Sequence, residues 1–260
     1  MKIVVCIKQV PDTTEVKINP VTGTIIREGI PSIMNPDDKG GLELALRLKD
    51  EFDAHVTVIT MGPPQADAIL REAYAMGVDR AILLTDRAFA GADTLATSHA
   101  LAAAIKNLDY DLVITGRQAI DGDTAQVGPQ IAEHLDLPQV SYVADAKYDG
   151  KETIRVKKET EDGYQILEAT TPCVFTVLAS AIKPRYMSVR GIVEAFDKEV
   201  ETWTVQNITI EPEKLGGKGS PTRVKKSFAK ELKQPGAVYE VTPEESVDLI
   251  IAKLKEKFII

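Results

Sequence analysis

The strongest constraint on the fold is a rhythm of short apolar runs. IVVCI from Ile3, VTVIT from Val56, AILLT from Ala81, DLVIT from Asp111 and VFTVLA from Val174 recur along the chain. Such runs, without polar alternation, belong to strands buried on both faces. Between them the spacing is helical. Leu42, Ala45 and Leu46 recur at i, i+3, i+4, and Val127, Ile131 and Leu135 at i, i+4, i+8. The stretch 66–75 is alanine-rich, and Leu95, Leu101, Ala102 and Ile105 follow Asp93. Strand alternating with helix predicts an α/β fold, an open parallel sheet with helices on both faces and right-handed crossovers. The length of 260 residues accommodates one large domain with an appendage, or two smaller ones.

Two segments break the rhythm. From Val140 to Ala169, the pairs Asp149-Gly150 and Asp162-Gly163 punctuate alternating stretches such as TIRVKKE. That pattern predicts an antiparallel hairpin addition to the sheet. After Trp203 the periodicity weakens. The stretch from Lys214 to Lys233 carries seven Lys or Arg against one Glu and reads as an extended arm. A closing helix is marked by Thr242, Pro243 and Glu245, a capping box with proline at the first helical position. Its apolar stripe is Val247, Ile250, Ile251, Leu254 and Phe258. The expected division is therefore a binding domain over 1–202 and an arm with a helix over 203–260.

Several function classes are disfavoured. A net charge of −8 argues against nucleic acid as the partner. No run approaches the ~18 apolar residues of a membrane span. The N-terminal MKIVVCIKQVPD reads as a strand rather than a signal peptide. Cys6 and Cys173 stand alone, which fits a reduced, cytoplasmic setting. His55, His99 and His134 lack metal-ligand spacing, and His99 and His134 read as helix decoration. P-loop, GxGxxG and GxSxG motifs are absent.

In an open parallel sheet, ligands bind beyond the carboxyl ends of the strands. Three loops converge there: CIKQVPD, TMGPPQAD and TGRQAIDGDTAQVGPQ, the last from Thr115 to Gln130. This third loop has two aspartates, one arginine and no lysine. Glycine and the N–H groups of a following helix can hold an anion without lysine. Asp121 and Asp123 must then point away from a phosphate, or meet ribose or amide groups. The alternative is an ordinary capped strand–helix turn. In GADTLATS, Asp93 caps a helix, and Thr94, Thr97 and Ser98 either serve a ligand or simply support the cap.

The blocks VCIKQVPD, MNPDDKGGLELALRLKD, TMGPPQADAILREAYAMGVDRA and TGRQAIDGDTAQVGPQIAEHLDLPQ resemble the β subunit of electron-transfer flavoproteins. The resemblance runs from Met1 to the C-terminus and is densest before Gln139. It implies an adenine-nucleotide α-hydrolase-like sheet. It also implies a heterodimer with a larger α subunit that holds one FAD, which the arm over 203–260 wraps. Ordinary members carry AMP in the β subunit; a second group carries a second FAD there. That group takes electrons from NADH and bifurcates them. One passes to ferredoxin or flavodoxin, the other through the α-subunit FAD to an acyl-CoA dehydrogenase. Activity therefore belongs to the complex, and this chain is an electron carrier within it.

DRAFAGADTLATS and GKGSPTRVKKSF resemble the bifurcating group. By position, the resemblance assigns adenosine contacts to Cys6, Asn35 and Met61. Ribose and pyrophosphate contacts fall on Asp121, Gly122, Asp123, Thr124, Ala125, Gln126 and Val127, largely through backbone N–H groups. Extra flavin-side contacts fall on Asp93, Thr94 and Thr97. ASAIKPRYMSVRGI resembles the loop that docks on the dehydrogenase, with Arg185 and Tyr186 beside an apolar anchor at Val189. Two alternatives remain: a non-bifurcating β subunit holding structural AMP, and a nucleotide-sensing regulatory module without flavin.

Overall fold

The computed structural model describes residues 1–12, 31–180, 182–225 and 236–260. In chain order the elements are β1 (Lys2–Cys6), β2 (Gln9–Pro11), β3 (Ser32–Met34), α1 (Pro36–Phe52), β4 (His55–Met61), α2 (Asp67–Met76) and β5 (Arg80–Leu84). There follow α3 (Thr94–Ile105), β6 (Leu112–Gly116), α4 (Val127–Leu135), β7 (Gln139–Tyr148), β8 (Thr153–Thr160), β9 (Gly163–Thr170) and β10 (Cys173–Val177). The last are α5 (Val189–Asp197), β11 (Val200–Trp203) and α6 (Pro243–Glu256).

One nine-stranded sheet has the order β11-β5-β4-β1-β6-β10-β7-β8-β9. The five strands expected from apolar runs are its five adjacent parallel members, β5 to β10. Their alternate residues feed two cores. Ile3 and Val5 of β1 pack on the side of α1 and α2, while Val4 and Cys6 pack on the other side with α3 and α4. Burial on both faces explains why these runs are continuously apolar.

The hairpin addition is present, with one refinement. β7 pairs parallel with β10 through its first half and antiparallel with β8 through its second. The two Asp-Gly pairs mark the turns on either side of β8. Asp149 Oδ1 accepts from the N–H groups of Lys151 at 2.8 Å and Thr153 at 3.1 Å, and Gly150 takes φ 81°. A separate two-stranded sheet joins β2 to β3.

β11 has no counterpart in the apolar pattern. Its sequence, VETW, is too short and too charged to signal a strand, yet it pairs parallel with β5. A bidentate ion pair fixes it there. Arg80 Nε and Nη2 donate to Glu201 Oε1 at 2.6 Å and Oε2 at 2.8 Å.

The chain also divides later than expected. The first compact unit is Met1–Lys226 and the second is Ser227–Ile260. Ile208 and Leu215 are buried in the α3 side of the core, with Val205 and Ile210 against them. The start of the basic stretch is therefore packed structure, and residues 226–235 lie outside the described residues. These apolar residues are isolated along the chain, so no period announces their burial. In the second unit α6 has the expected capping box. Glu245 N donates to Thr242 Oγ1 at 3.3 Å, and Thr242 N donates to Glu245 Oε2 at 3.0 Å. No α6 side chain is buried.

Two features of α1 and β6 position the site. Gly40 and Gly41 let the first turns of α1 approach the ends of β10 and β6; a Cβ on Gly41 would lie 2.9 Å from Ile114 Cγ2. This brings Asp37 and Asp38 down onto the strand exits. Gly116 meets them there, where an added Cβ would stand 2.6 Å from the Asp38 backbone nitrogen. Because the obstacle is backbone, Gly116→Ala should destabilise the first unit by about 1–3 kcal/mol, measurable as a lower urea midpoint at unchanged slope. A midpoint equal to wild type would refute the close-approach argument.

Candidate functional site

The chain leaves β1 toward β4 on one side of the sheet, while β6 leads to the other side. Between the carboxyl ends of β1 and β6 lies the topological switch point. A cavity of about 460 Å³ opens there. That size suits a small-molecule site. Its walls come from the exits of β1, β4 and β6, from the start of α3, and from the loop that leads into α4.

Most of the expected cofactor residues are brought together. Cys6, Met61, Asp93, Thr94, Thr97, Gly122, Thr124, Ala125, Gln126 and Val127 all line the cavity. Asn35, Asp121 and Asp123 stand outside its lining and support it. Asn35 is fully buried and straddles the β6 loop. Its Nδ2 donates to Gln118 O at 2.8 Å, and its Oδ1 accepts from Ile120 N at 3.0 Å. Asp123 takes φ 50° and accepts from Gln118 Nε2, and Ala125 takes φ 54°. Left-handed backbone at two non-glycine residues is costly and persists only where the surroundings impose it.

Asp121 is occupied by a residue that the motif reading passes over. Lys8 Nζ reaches its Oδ1 at 2.6 Å, and Lys8 itself lines the cavity. The loop carries no lysine of its own; the cation arrives from the end of β1. Only the sequence CIKQVPD, read as a converging loop, hinted at this.

The start of α4 is the feature best suited to an anion. It has no side-chain cap and no acidic residue in its first turn. Its leading N–H groups therefore keep the positive end of the helix dipole open toward the cavity. Gly128 seats it tightly: an added Cβ would lie 2.5 Å from Thr115 Oγ1 and 2.7 Å from Thr176 Cγ2. A Cβ on Gly122, by contrast, meets no protein atom, so that glycine leaves open space in the loop. Thr94 Oγ1 donates to Gln126 Oε1 at 2.7 Å and bridges the starts of α3 and α4. The start of α3 differs from that of α4, because Asp93 caps it by accepting from Ala96 N at 3.0 Å.

Asp38 lies on the cavity floor. Its Oδ2 accepts from Lys8 N at 2.8 Å and its Oδ1 from Gly116 N at 3.0 Å. Burial pushes its carboxyl up to about 7, against the pull of Asn35 and these N–H groups. Burial, with Asp38 adding to it, pushes the Cys6 thiol up to about 12. Cys6 is thus a buried core thiol at the edge of the cavity. Among the described residues no three metal-ligating side chains cluster. His99 and His134 stack, with ring centroids 4.0 Å apart, across the α3–α4 interface.

The residues expected to dock on a partner lie elsewhere. Arg185 is bound into the body of the protein. Its Nε donates to Glu43 Oε2 at 2.9 Å and its Nη2 to Asp50 Oδ2 at 2.8 Å. Tyr186 and Val189 are 89% and 82% exposed, which leaves them free for a partner surface. Val189 opens α5, which presents Val193 and Phe196 beside it.

A cavity at the switch point of a parallel sheet, with an uncapped helix start on its wall, is how open α/β proteins bind phosphorylated ligands. The chain matches the electron transfer flavoprotein domain over residues 22–208. It is 60% identical over 257 residues to the electron transfer flavoprotein subunit beta of Clostridium acetobutylicum, covering 99% of each chain. It is 53% identical to the caffeyl-CoA reductase-Etf complex subunit CarD of Acetobacterium woodii, covering 100% of each. It is 46% identical to the acryloyl-CoA reductase electron transfer subunit gamma of Anaerotignum propionicum, again covering 100% of each. The chain belongs to the electron transfer flavoprotein family, among its β subunits. Subunits of this kind pair with an α subunit. No helix among the described residues is long and apolar enough to cross a membrane.

Asp38 makes stability depend on pH. Its folded value of about 7 stands above the ordinary 3.8, so the folded chain holds an extra proton between these values. Its contribution is fully present below about pH 4 and is lost as pH rises through about 7. Relative to Asp38→Asn, wild-type stability should fall across that window by up to about 4 kcal/mol, measured by urea unfolding at a series of pH values. A pH-independent difference would contradict the assignment.

Proposed function

We propose that the cavity holds FAD and that this chain is the β subunit of an electron-bifurcating flavoprotein. Bound there, FAD would supply the hydride and single-electron chemistry that no side chain in the site provides. The reading rests on one observation above the rest: an open, uncapped α4 start faces the cavity while every nearby loop carboxylate is engaged elsewhere. The residues present fit the group. Backbone at Cys6 and Met61 would meet adenosine. The loop Gly122–Val127 and the first turn of α4 would hold the diphosphate, with the Lys8 charge close by. Thr97 and the start of α3 at Asp93 and Thr94, which line the cavity, would face the part beyond the diphosphate.

In this reading NADH is the electron donor, and the exits are ferredoxin or flavodoxin on one branch and the α-subunit FAD on the other. The relatives named for caffeyl-CoA reductase and acryloyl-CoA reductase support an acyl-CoA dehydrogenase as the partner on the second branch. The exposed ridge of Tyr186, Val189, Val193 and Phe196 is the surface offered to it. The C-terminal segment with α6 is offered to the α subunit, because its apolar stripe is unburied. An apolar face of that kind is stable when a partner covers it.

Cofactor analysis of the purified heterodimer tests the central statement. Two FAD per heterodimer, reducible by NADH, are expected; one FAD with one AMP would leave an ordinary electron carrier. Lys8→Ala should weaken nucleotide retention roughly tenfold through loss of a charged neighbour, read by equilibrium dialysis. Deleting 236–260 should sharply reduce copurification with the α subunit, and copurification at full yield would exclude α6 from that interface.

A further inference from the structure

One side of the cavity is formed by the strip Gly91-Ala92-Asp93, and the same strip lines a second hollow of about 370 Å³. The far wall of that hollow is the segment around Gly217, Ser220, Thr222, Arg223 and Val224. This segment is distant in sequence, yet it is buttoned onto the strip one residue at a time. Gly216 takes φ 51° beneath the carbonyls of Ala88 and Ala90, where a Cβ cannot fit. Gly217 N donates to Ala90 O at 3.0 Å. Ser220 Oγ accepts from Asp93 N at 2.8 Å and donates to Gly216 O at 2.7 Å.

The last button is the Asp93 side chain, and its two oxygens divide the work. Oδ1 accepts from Ala96 N and caps α3. Oδ2 accepts from Thr222 N at 3.1 Å and Thr222 Oγ1 at 2.7 Å. These bonds hold the carboxyl below the usual carboxylate range although burial opposes them. The side chain therefore faces the clamp and the cap, and the Asp93 backbone is engaged as well, its N–H by Ser220 Oγ and its carbonyl by Thr97 N.

We propose that Asp93 is a positioning residue that clamps the segment Gly216–Val224 beside the cavity, and that this clamped wall selects a nucleotide extended beyond AMP. The inference rests on the reading that the cavity binds an adenine nucleotide. On that reading AMP would occupy the space between the β1, β4 and β6 exits and the α4 start, short of the strip. A longer dinucleotide would extend toward the strip and the second hollow that shares it. A wall already fixed there removes the ordering entropy that the longer ligand would otherwise bear.

The two oxygens allow the clamp to be cut without uncapping the helix. Serine is a competent N-cap but has no second arm, so Asp93→Ser keeps α3 and releases Thr222. Thr222→Val removes one clamp bond and leaves Asp93 intact. The full-length chain, freed of nucleotide, is titrated with FAD and separately with AMP. In Asp93→Ser, FAD affinity should fall roughly tenfold while AMP affinity stays within about twofold. Thr222→Val should show the same selectivity to a smaller degree. Hydrogen exchange over 216–224 should quicken in Asp93→Ser while α3 remains protected. If FAD and AMP affinities fall together, or neither falls, the clamp is not a selector. If exchange is unchanged, the clamp does not hold the wall. A wild-type chain that binds neither nucleotide would sink the cavity reading and the clamp with it, a result distinct from either failure of the clamp alone.

Discussion

The site depends on two consecutive carboxylates lowered onto the ends of a parallel sheet. At the switch point the connections after β1 and β6 diverge, and the gap they leave is the candidate binding site. Something must hold the diverging exits in register without filling the gap. Asp38 does so by accepting from Lys8 N after β1 and Gly116 N at the end of β6. Asp37 accepts from Ala179 N after β10 and Gln118 N after β6. Together they tie three strand exits to the start of α1. A buried carboxylate is unfavourable unless hydrogen-bonded. Here its partners are backbone N–H groups that would otherwise be stranded where the ladder ends. The glycines at 40, 41 and 116 follow from this, because α1 must lie close enough for short side chains to reach.

An acidic loop beside an anion site is resolved by redirecting charge. Asp121 turns to Lys8 and Asp123 to Gln118, so neither carboxylate faces the cavity. Left-handed backbone at Asp123 and Ala125 accompanies that arrangement. What then faces the cavity is the uncapped first turn of α4, whose dipole needs no lysine. The contrast with α3 is informative. Its N-terminus is closed by Asp93, so the two helices that flank the cavity are chemically unlike: one start is uncapped and the other is capped by a carboxylate.

What was legible in the sequence was whatever has a period or a compulsory residue type. The five buried strands have continuous apolar runs, the hairpin has its Asp-Gly turns, and α6 has its capping box; all three are present as read. Most of the cavity's lining was legible too, through a family motif that sits at the end of a strand. The rest depends on contacts between residues far apart in sequence. Lys8 and Asp121 are individually ordinary, and only the adjacency of β1 and β6 pairs them. β11 is four residues long and is fixed by Arg80, which leaves no local trace. Ile208 and Leu215 are single apolar residues in polar surroundings, so a pattern-based boundary at Trp203 falls short of the compact unit's end at Lys226. Asn35 matched a ligand-site position but is spent on holding the loop, a distinction that composition alone cannot make.

The side chains around the cavity also bear on what kind of chemistry belongs there. The Cys6 thiol is pushed up to about 12 and remains protonated and buried. Asp37, Asp38, Asp93 and Asp121 each accept hydrogen bonds or an ion pair from the protein itself. The two helix histidines stack on each other outside the cavity lining, and burial lowers both below the ordinary imidazole value. The potentially reactive groups thus serve placement, while backbone N–H groups and hydroxyls are left toward the cavity. A site built this way orients a ligand that brings its own reactivity, which is the division of labour expected between a flavoprotein and its cofactor. It also shifts the question of specificity from reactive groups to walls. In the proposed reading, the wall clamped through Asp93 is where members of one fold can differ in the ligand they hold.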